Sequence, residues 1–169
     1  LHLSLLRQLQ MCIRDRIKEI PKGLVGTTLR QGYLQPEKER AVRIRTVEKE
    51  GLKKGFLTIK GVGNSSGMSR YEFETEIPID DADYLLNLCN QPIIEKTRYI
   101  YEHESLIWEI DDFHGVNDGL IIAEVELNSE GQEVKKPDFV DKEVTGQKKY
   151  YNLMLTKNPY SMWGKDPLG

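Results

Sequence analysis

The sequence predicts an α+β fold that is mainly antiparallel β, and three observations predict it. Seven segments alternate apolar and polar residues with the two-residue period of a strand. Most of the connections between them are short and contain turn-forming residues, as in hairpins. Only two segments have a helical period, and they do not alternate with the strands as helices do in a parallel sheet. The pattern allows either an open sheet or a closed β-barrel.

The predicted elements follow one another from residue 17 onward. A helix is expected at 79–89, where Asp80 or Asp81 can cap the first turn. A second helix is expected at 147–156, and both helices could cover part of the outside of the sheet. Strands are expected at residues 26–34, 41–48, 56–61, 70–78, 93–101, 106–113 and 119–127.

The composition limits the classes of function. A chain of 169 residues predicts one domain, and its net charge of -3 argues against a general electrostatic grip on nucleic acid or a membrane. No apolar run approaches the roughly 20 residues that span a bilayer. The two cysteines have no metal-ligand spacing, which favours a reducing compartment, here the cytoplasm. The oligomeric state is not readable from the sequence.

Residues 1–16 look foreign to the domain that follows. They contain no long apolar core and no small-residue cleavage site of a secretory signal. Their last six residues, MCIRDR, resemble translated sequencing-adaptor DNA, and a short amphipathic helix is the alternative. We therefore expect a non-native segment at 1–16, one domain at 17–160 and a C-terminal tail at 161–169.

Charged residues share one face of most predicted strands, and apolar residues take the other face. An open sheet with a solvated, ion-paired face is the usual explanation for any one such strand. Here, however, basic and acidic pairs lie on different strands, whereas a surface selected for solubility would mix the signs. The aligned charges are Arg43 with Arg45, Lys60, Lys96 with Arg98, Glu109 with Asp111, Glu124 with Glu126, and the row Arg70, Glu72, Glu74 and Glu76.

A closed sheet would turn these charges into its lumen. Uncompensated charges in a confined space cost several kcal/mol each, so complementary ions are expected there. Clustered carboxylates suit Mg²⁺ or Mn²⁺, and clustered Arg and Lys suit phosphate oxygens. The pattern therefore predicts a tunnel that holds a polyanion together with divalent metal ions.

Six short motifs, in this order, resemble the CYTH domain of the triphosphate tunnel metalloenzymes: VRIR, LTIKG, SRYEFETEIP, IEKTRY, WEIDDFHG and LIIAEVEL. The likeness covers about residues 17–160. It implies an eight-stranded antiparallel tunnel, covered by a C-terminal helix, that binds a linear triphosphate with Mg²⁺ or Mn²⁺. It also implies an enzyme, and the activity we expect is hydrolysis of inorganic tripolyphosphate to pyrophosphate and phosphate.

Other functions of the same family remain open at this stage. Thiamine triphosphatase, nucleoside triphosphatase and adenylate cyclase differ in what grips the substrate beyond its phosphates, and the tunnel motifs do not report on that. A polyphosphate- or nucleotide-binding protein without activity is the non-enzyme alternative. In every case the partner is a small-molecule phosphate compound rather than nucleic acid or a membrane.

The resemblance also implies roles for particular residues. Glu109 is a further candidate of the acidic set, and Lys148 or Lys149 could reach the substrate from the C-terminal helix. The implied phosphate-binding residues are Arg43, Arg45, Lys60, Arg70, Lys96 and Arg98. The implied metal ligands are Glu74, Asp111, Glu124 and Glu126, and the implied catalytic residues are Glu72, Glu74 and Asp111.

The N-terminal segment departs from the family pattern. Family members open with a strand of the form Glu-x-Glu-x-Lys, whose glutamates help to hold metal and whose lysine holds phosphate. Nothing in residues 1–21 matches that form. The sequence therefore predicts seven strands rather than eight, and a tunnel that is open at one edge.

Overall fold

A computed structural model describes residues 7–12, 21–37, 40–63, 70–89, 92–127 and 132–164 of the chain. Its main element is one sheet in which neighbouring strands are antiparallel, in the order β5-β4-β3-β2-β6-β7-β8-β1-β9. The strands are β1 (Arg7–Cys12), β2 (Thr27–Gln35), β3 (Ala41–Lys49), β4 (Leu52–Gly63), β5 (Arg70–Ile77), β6 (Ile94–His103), β7 (Leu106–Phe113), β8 (Ile121–Leu127) and β9 (Lys142–Glu143).

The predicted α+β, mainly antiparallel architecture is confirmed. Strands β2 to β8 lie at the seven segments that the alternation predicts, and two strands are additional. Strand β1 comes from the segment that we expected to be foreign, and it pairs with β8 from Arg7 opposite Leu127 to Cys12 opposite Ile122. The two-residue β9 then pairs with β1. Strand β1 therefore covers the edge of β8, whereas the sequence predicts only that the tunnel is open at one edge.

The sheet curls around a cavity without closing into a hydrogen-bonded barrel. Strands β5 and β9 are its two edges, and no ladder joins them within the described residues. Side chains from each of β1 to β8 nevertheless line one and the same cavity. The fold is therefore tunnel-like, as the resemblance implies, with a seam between its edges.

Two tight hairpins set the register on either side of the cavity. The turn between β3 and β4 consists of Glu50 and Gly51, whose φ angles are 51° and 79°. The turn between β6 and β7 consists of Glu104 and Ser105, at 50° and 61°. Two successive residues with positive φ are typical of a type I′ β-turn, whose twist matches that of the antiparallel strands it joins.

The apolar faces of β7 and β8, and of β3 around Ile44, are covered by packing, and the charged faces of these strands turn to the cavity. Trp108 and Val125, on β7 and β8, are buried in a cluster with Phe139. On the opposite side, helix α1 (Ile79–Asn87) packs Ala82 against Ile44 of β3. A side chain at Gly55 of β4 would lie 2.5 Å from the Ala82 Cβ, so glycine permits this close approach.

The first helix confirms the prediction in position but not in its cap. Its N-cap residue is Pro78, and no side chain caps it. Asp80 and Asp81 lie in the first turn, where carboxylates interact favourably with the helix dipole.

The second predicted helix is divided into a 3₁₀ turn at Lys148–Tyr150 and a short helix α2 (Asn152–Lys157). Tyr150 and Leu155 are both buried in one cluster. Residues five apart lie roughly 140° apart around an α-helix, so one straight helix would not turn both toward that cluster. In the part of the chain that the structure describes, no helix has the length and apolarity needed to cross a membrane.

Candidate functional site

One cavity of about 1520 Å³ lies inside the curled sheet. Side chains of both charges reach it from β3 to β8, and the segment around α2 covers part of it. The cationic lining residues are Arg43, Arg45, Lys60, Lys96, Arg98, Lys148 and Lys157. The acidic lining residues are Glu37, Glu72, Glu74, Glu109, Glu124 and Glu126.

The structure brings most of the predicted site residues together, with three exceptions. Asp111 is buried behind the lining residues rather than among them. Arg70 begins β5 opposite Gly63, but its side chain lies outside the described part of the structure. Lys148 lines the cavity, whereas the ammonium of Lys149 lies 5.1 Å from the centre of the Trp163 ring.

One side of the cavity is formed by Arg43 and Arg45 of β3, Thr58 of β4 and Glu74 of β5, which we call the β3–β5 wall. The carboxylate oxygen Oε2 of Glu74 accepts hydrogen bonds from three donors. They are Arg43 Nη2 at 3.1 Å, Arg45 Nη2 at 3.2 Å and Thr58 Oγ1 at 2.6 Å. Burial tends to raise the pKa of Glu74, but Thr58 and the two arginines outweigh it and lower the pKa.

The two arginines of this wall retain unsatisfied donors. The Nε atoms of Arg43 and Arg45 are buried, and neither has a hydrogen-bond partner among the described residues. Burial, together with the neighbouring charge of Arg43, also lowers the pKa of Arg45. Two cations side by side with free buried donors form a site that an anion would stabilise.

The opposite side is formed by Lys96 and Arg98 of β6, Glu109 and Asp111 of β7, and Glu124 of β8, which we call the β6–β8 wall. Asp111 accepts from Lys96 Nζ at 2.5 Å and from Arg98 Nε and Nη2 at 2.6 and 2.7 Å. Burial opposes its ionisation, but Lys96 and Arg98 hold the pKa of Asp111 below its usual range. Both carboxylate oxygens of Asp111 therefore accept hydrogen bonds from its cationic neighbours, Lys96 and Arg98.

Carboxylates are concentrated at the cavity side of this second wall. Glu109 lies directly opposite Glu124 on the neighbouring strand and bonds to Arg98 Nη1. Burial raises the pKa of Glu109, and the negative charges of Asp111 and Glu124 add to this against the effect of Arg98. A cation bound beside Glu109 and Glu124 would relieve this repulsion.

Gln10 of β1 is a lining residue that the sequence analysis missed. It lies opposite Glu124 in the ladder, and its amide donates a hydrogen bond to Glu124 Oε1. Leu9 and Met11 alternate with Gln8 and Gln10, and this two-residue period was the signal available. Lys157 was missed as well, because nothing in the sequence indicates which side of a short helix faces a cavity.

The acidic side chains at the cavity resemble the ligands that a divalent cation requires only in part. Among the described residues no three His, Cys, Asp or Glu side chains form a metal-binding group. Magnesium, however, is commonly held by one or two carboxylates together with phosphate oxygens and water. The neighbouring Glu109 and Glu124 supply such a pair, so the residues present fit an ion that binds together with a phosphate compound.

Comparison with known proteins decides the family. The CYTH domain profile matches residues 16–159 of the chain. The chain belongs to the CYTH domain family. This CYTH protein is 46% identical over 147 residues to an inorganic triphosphatase of Acetivibrio thermocellus, covering 86% of this chain and 88% of the relative. It is 33% identical over 144 residues to an inorganic triphosphatase of Nitrosomonas europaea, covering 82% and 91%.

A solved structure extends the similarity to three dimensions. The crystal structure of an inorganic triphosphatase aligns with this CYTH chain at a TM-score of 0.66 and 27% sequence identity. The alignment covers 92% of this chain and 96% of that one. The family predicted from the six motifs is thereby confirmed, together with its tunnel-like fold.

Proposed function

We propose that this CYTH protein hydrolyses a linear triphosphate, with inorganic tripolyphosphate as the first candidate and pyrophosphate and phosphate as products. The observation that carries the proposal is that the buried Nε donors of Arg43 and Arg45, at a cavity lined by further cations, have no hydrogen-bond partner in the part of the chain that the structure describes. Phosphate oxygens are the acceptors that match such donors. The similarity to two proteins named inorganic triphosphatase supports the choice of substrate.

The cations of both walls would bind and orient the phosphates. Contacts from two sides would hold the chain of phosphates across the cavity and offset the charge that shifts during phosphoryl transfer. Asp111 would act through Lys96 and Arg98, since binding a metal or water would require it to release one of them. The proposed phosphate-binding residues are Arg43, Arg45, Lys60, Lys96 and Arg98, with Arg70 as a further candidate.

A divalent cation, Mg²⁺ or Mn²⁺, belongs to this proposal. Glu124 and Glu126 would hold it, and Glu109, which lies opposite Glu124, and Glu74 line the same cavity and are further candidates. When bound, such an ion would polarise phosphate oxygens and lower the pKa of a coordinated water. Glu72 and Glu74 remain the candidates for orienting that water.

The cellular location of the protein and the class of molecule on which it acts are also part of the proposal. The two cysteines without metal-ligand spacing support a cytoplasmic location, and the net charge of -3 supports a small-molecule substrate over nucleic acid or a membrane surface. Both remain predictions from composition.

The test is orthophosphate release from tripolyphosphate in the presence of Mg²⁺ or Mn²⁺. Metal-dependent release that disappears in a Glu124→Gln/Glu126→Gln variant, folded by circular dichroism, would support the triphosphatase. Parallel assays with thiamine triphosphate and ATP would rank the substrates, and formation of cyclic AMP from ATP would identify a cyclase.

The non-enzyme alternative has one specific observation in its favour. The carboxylates of Glu74, Glu109 and Asp111 are all engaged with arginine or lysine side chains. Tripolyphosphate binding without any release of phosphate, from a folded chain with metal present, would favour this alternative and contradict the proposed hydrolysis.

A further inference from the structure

Glu74 already occupies the Nη2 donors of Arg43 and Arg45 on the β3–β5 wall. The two N–H groups of Arg43 Nη2 are directed to Thr58 Oγ1 at 3.0 Å and to Glu74 Oε2 at 3.1 Å. Arg45 Nη2 also donates to both oxygens of Glu74, at 3.4 and 3.2 Å. A phosphate oxygen can therefore bond these groups only if Glu74 withdraws.

The three side chains differ in their exposure to water. The side chain of Glu74 is 36% exposed, compared with 14% for Arg43 and 21% for Arg45. Glu74 also lines the cavity, and it projects from β5, which is an edge strand. Water can solvate its carboxylate as it leaves, so withdrawal does not strand a buried charge.

We propose that Glu74 is an internal counter-anion of Arg43 and Arg45, which a phosphate compound displaces on binding and which returns as the product leaves. The inference rests on the proposed function, since it names the group with which the substrate competes. Repulsion between the Glu74 carboxylate and a phosphate at the same arginines weakens the binding of every anion there. The enzyme thereby avoids holding its own anionic products too tightly.

Removal of the charge at Glu74 is therefore expected to strengthen anion binding. Glu74→Gln keeps the size of the side chain but supplies a neutral competitor. We expect tripolyphosphate and orthophosphate to bind the variant about tenfold more tightly than the wild-type chain, because the two arginines keep their charge while the anion that competes with phosphate for them is removed. Titration calorimetry in EDTA at fixed ionic strength isolates this effect from any role of Glu74 in binding metal.

Glu76→Gln is the matched control. Glu76 lies on the same strand and the same face, and it loses the same charge, but it pairs with Lys54 outside the cavity. The affinity of Glu76→Gln for tripolyphosphate and orthophosphate should stay within about twofold of that of the wild-type chain, since exposed charges are screened by salt. Glu74→Ala, which removes the competitor altogether, should also tighten binding.

The outcomes separate this inference from the proposed function. Wild-type binding of tripolyphosphate without tightening in either Glu74 variant would overturn the counter-anion alone. Equal tightening in Glu76→Gln would also overturn it, because the effect would then be one of net charge. If none of the four proteins bound tripolyphosphate, even after Mg²⁺ was restored, the proposed function and the counter-anion would both be wrong.

Discussion

The two walls of the cavity both place two cations around one carboxylate, but they differ in their contact with water. On the β6–β8 wall the side chain of Asp111 is 3% exposed, whereas on the β3–β5 wall that of Glu74 is 36% exposed. The difference follows from position in the sheet. Strand β7 has neighbours on both sides, and β5 is an edge. The buried cluster around Asp111 on the β6–β8 wall is therefore a structural one, whereas the contact of Glu74 with the arginines of the β3–β5 wall can be exchanged for another anion.

Apolar packing beside Asp111 reinforces this contrast. The ammonium of Lys96 lies 5.2 Å from the centre of the Phe113 ring. Phe113 itself belongs to the buried cluster that contains Ile122 and Tyr150. In such surroundings ionic interactions are stronger than in water, and a missing partner is more costly.

The largest effect is expected from breaking the buried cluster. Asp111→Asn would leave Lys96 and Arg98 without their shared anion and should lower the free energy of unfolding by about 3–5 kcal/mol. Urea denaturation measures this loss, and Glu74→Gln is the matched change on the other wall, expected to cost less than about 1 kcal/mol. Similar losses in both variants would show that the two walls do not differ in this way.

Acidification should remove the contribution of Asp111 in the wild-type chain. Its pKa is lower in the folded than in the unfolded state, because Lys96 and Arg98 outweigh the effect of burial. The stabilisation is therefore complete above the unfolded value of about 3.9 and is lost as the pH falls through the folded value. Urea denaturation from pH 7 downward should show a steeper loss in the wild type than in Asp111→Asn. Parallel curves would contradict the assignment.

The β3–β5 wall should contribute more to the binding of tripolyphosphate than to the free energy of unfolding. Arg45→Gln is expected to weaken tripolyphosphate binding by about 1.5–3 kcal/mol, because one charge-assisted contact is lost. Calorimetry with Mg²⁺ present measures it. Arg30→Gln is the control, since Arg30 pairs with Glu95 at 3.2 Å and does not line the cavity. Equal losses in both variants would indicate a general charge effect rather than a contact.

The smallest effect is expected at an exposed ion pair next to the β3–β5 wall. Lys60 and Glu72 pair at 3.0 Å, but their side chains are 30% and 42% exposed. A double-mutant cycle on the free energy of unfolding should give a coupling of about 0.2–1 kcal/mol, which is typical of exposed pairs. The same cycle on Lys96 and Asp111 should give a clearly larger value. Comparable couplings would remove the distinction between the walls.

Local patterns in the sequence predicted much of the fold and of the candidate site. Alternation along a strand decides which side chains share a face, so Arg43 with Arg45 and Lys96 with Arg98 could be assigned to one side without coordinates. The six motifs, in order, identified the family. The turns between strands were also visible, because tight turns restrict the residue types that form them.

Contacts between strands could not be predicted in the same way. The ion pairs of Asp111 depend on the register of β7 against β6, which places Arg98 directly opposite it. Strand β1 was missed because the preference for a strand comes largely from its neighbours, and those of Gln10 are far away in the sequence. The different fates of Lys148 and Lys149 depend on packing of Tyr150 and Trp163.

The position of β1 in the sheet has a consequence for the order of folding. Its partners come from the other end of the chain: Val144 donates to the carbonyl of Gln10, and Gln10 donates to Thr145 Oγ1 across 135 positions. The hairpins at Gly51 and Ser105, by contrast, close over two residues. Because long loops cost more entropy to close, β1 is expected to dock after those hairpins, and pulse-labelled hydrogen exchange can time it. Thr145 and Gln10 both line the cavity, so the cavity would be completed only when the two ends of the chain meet.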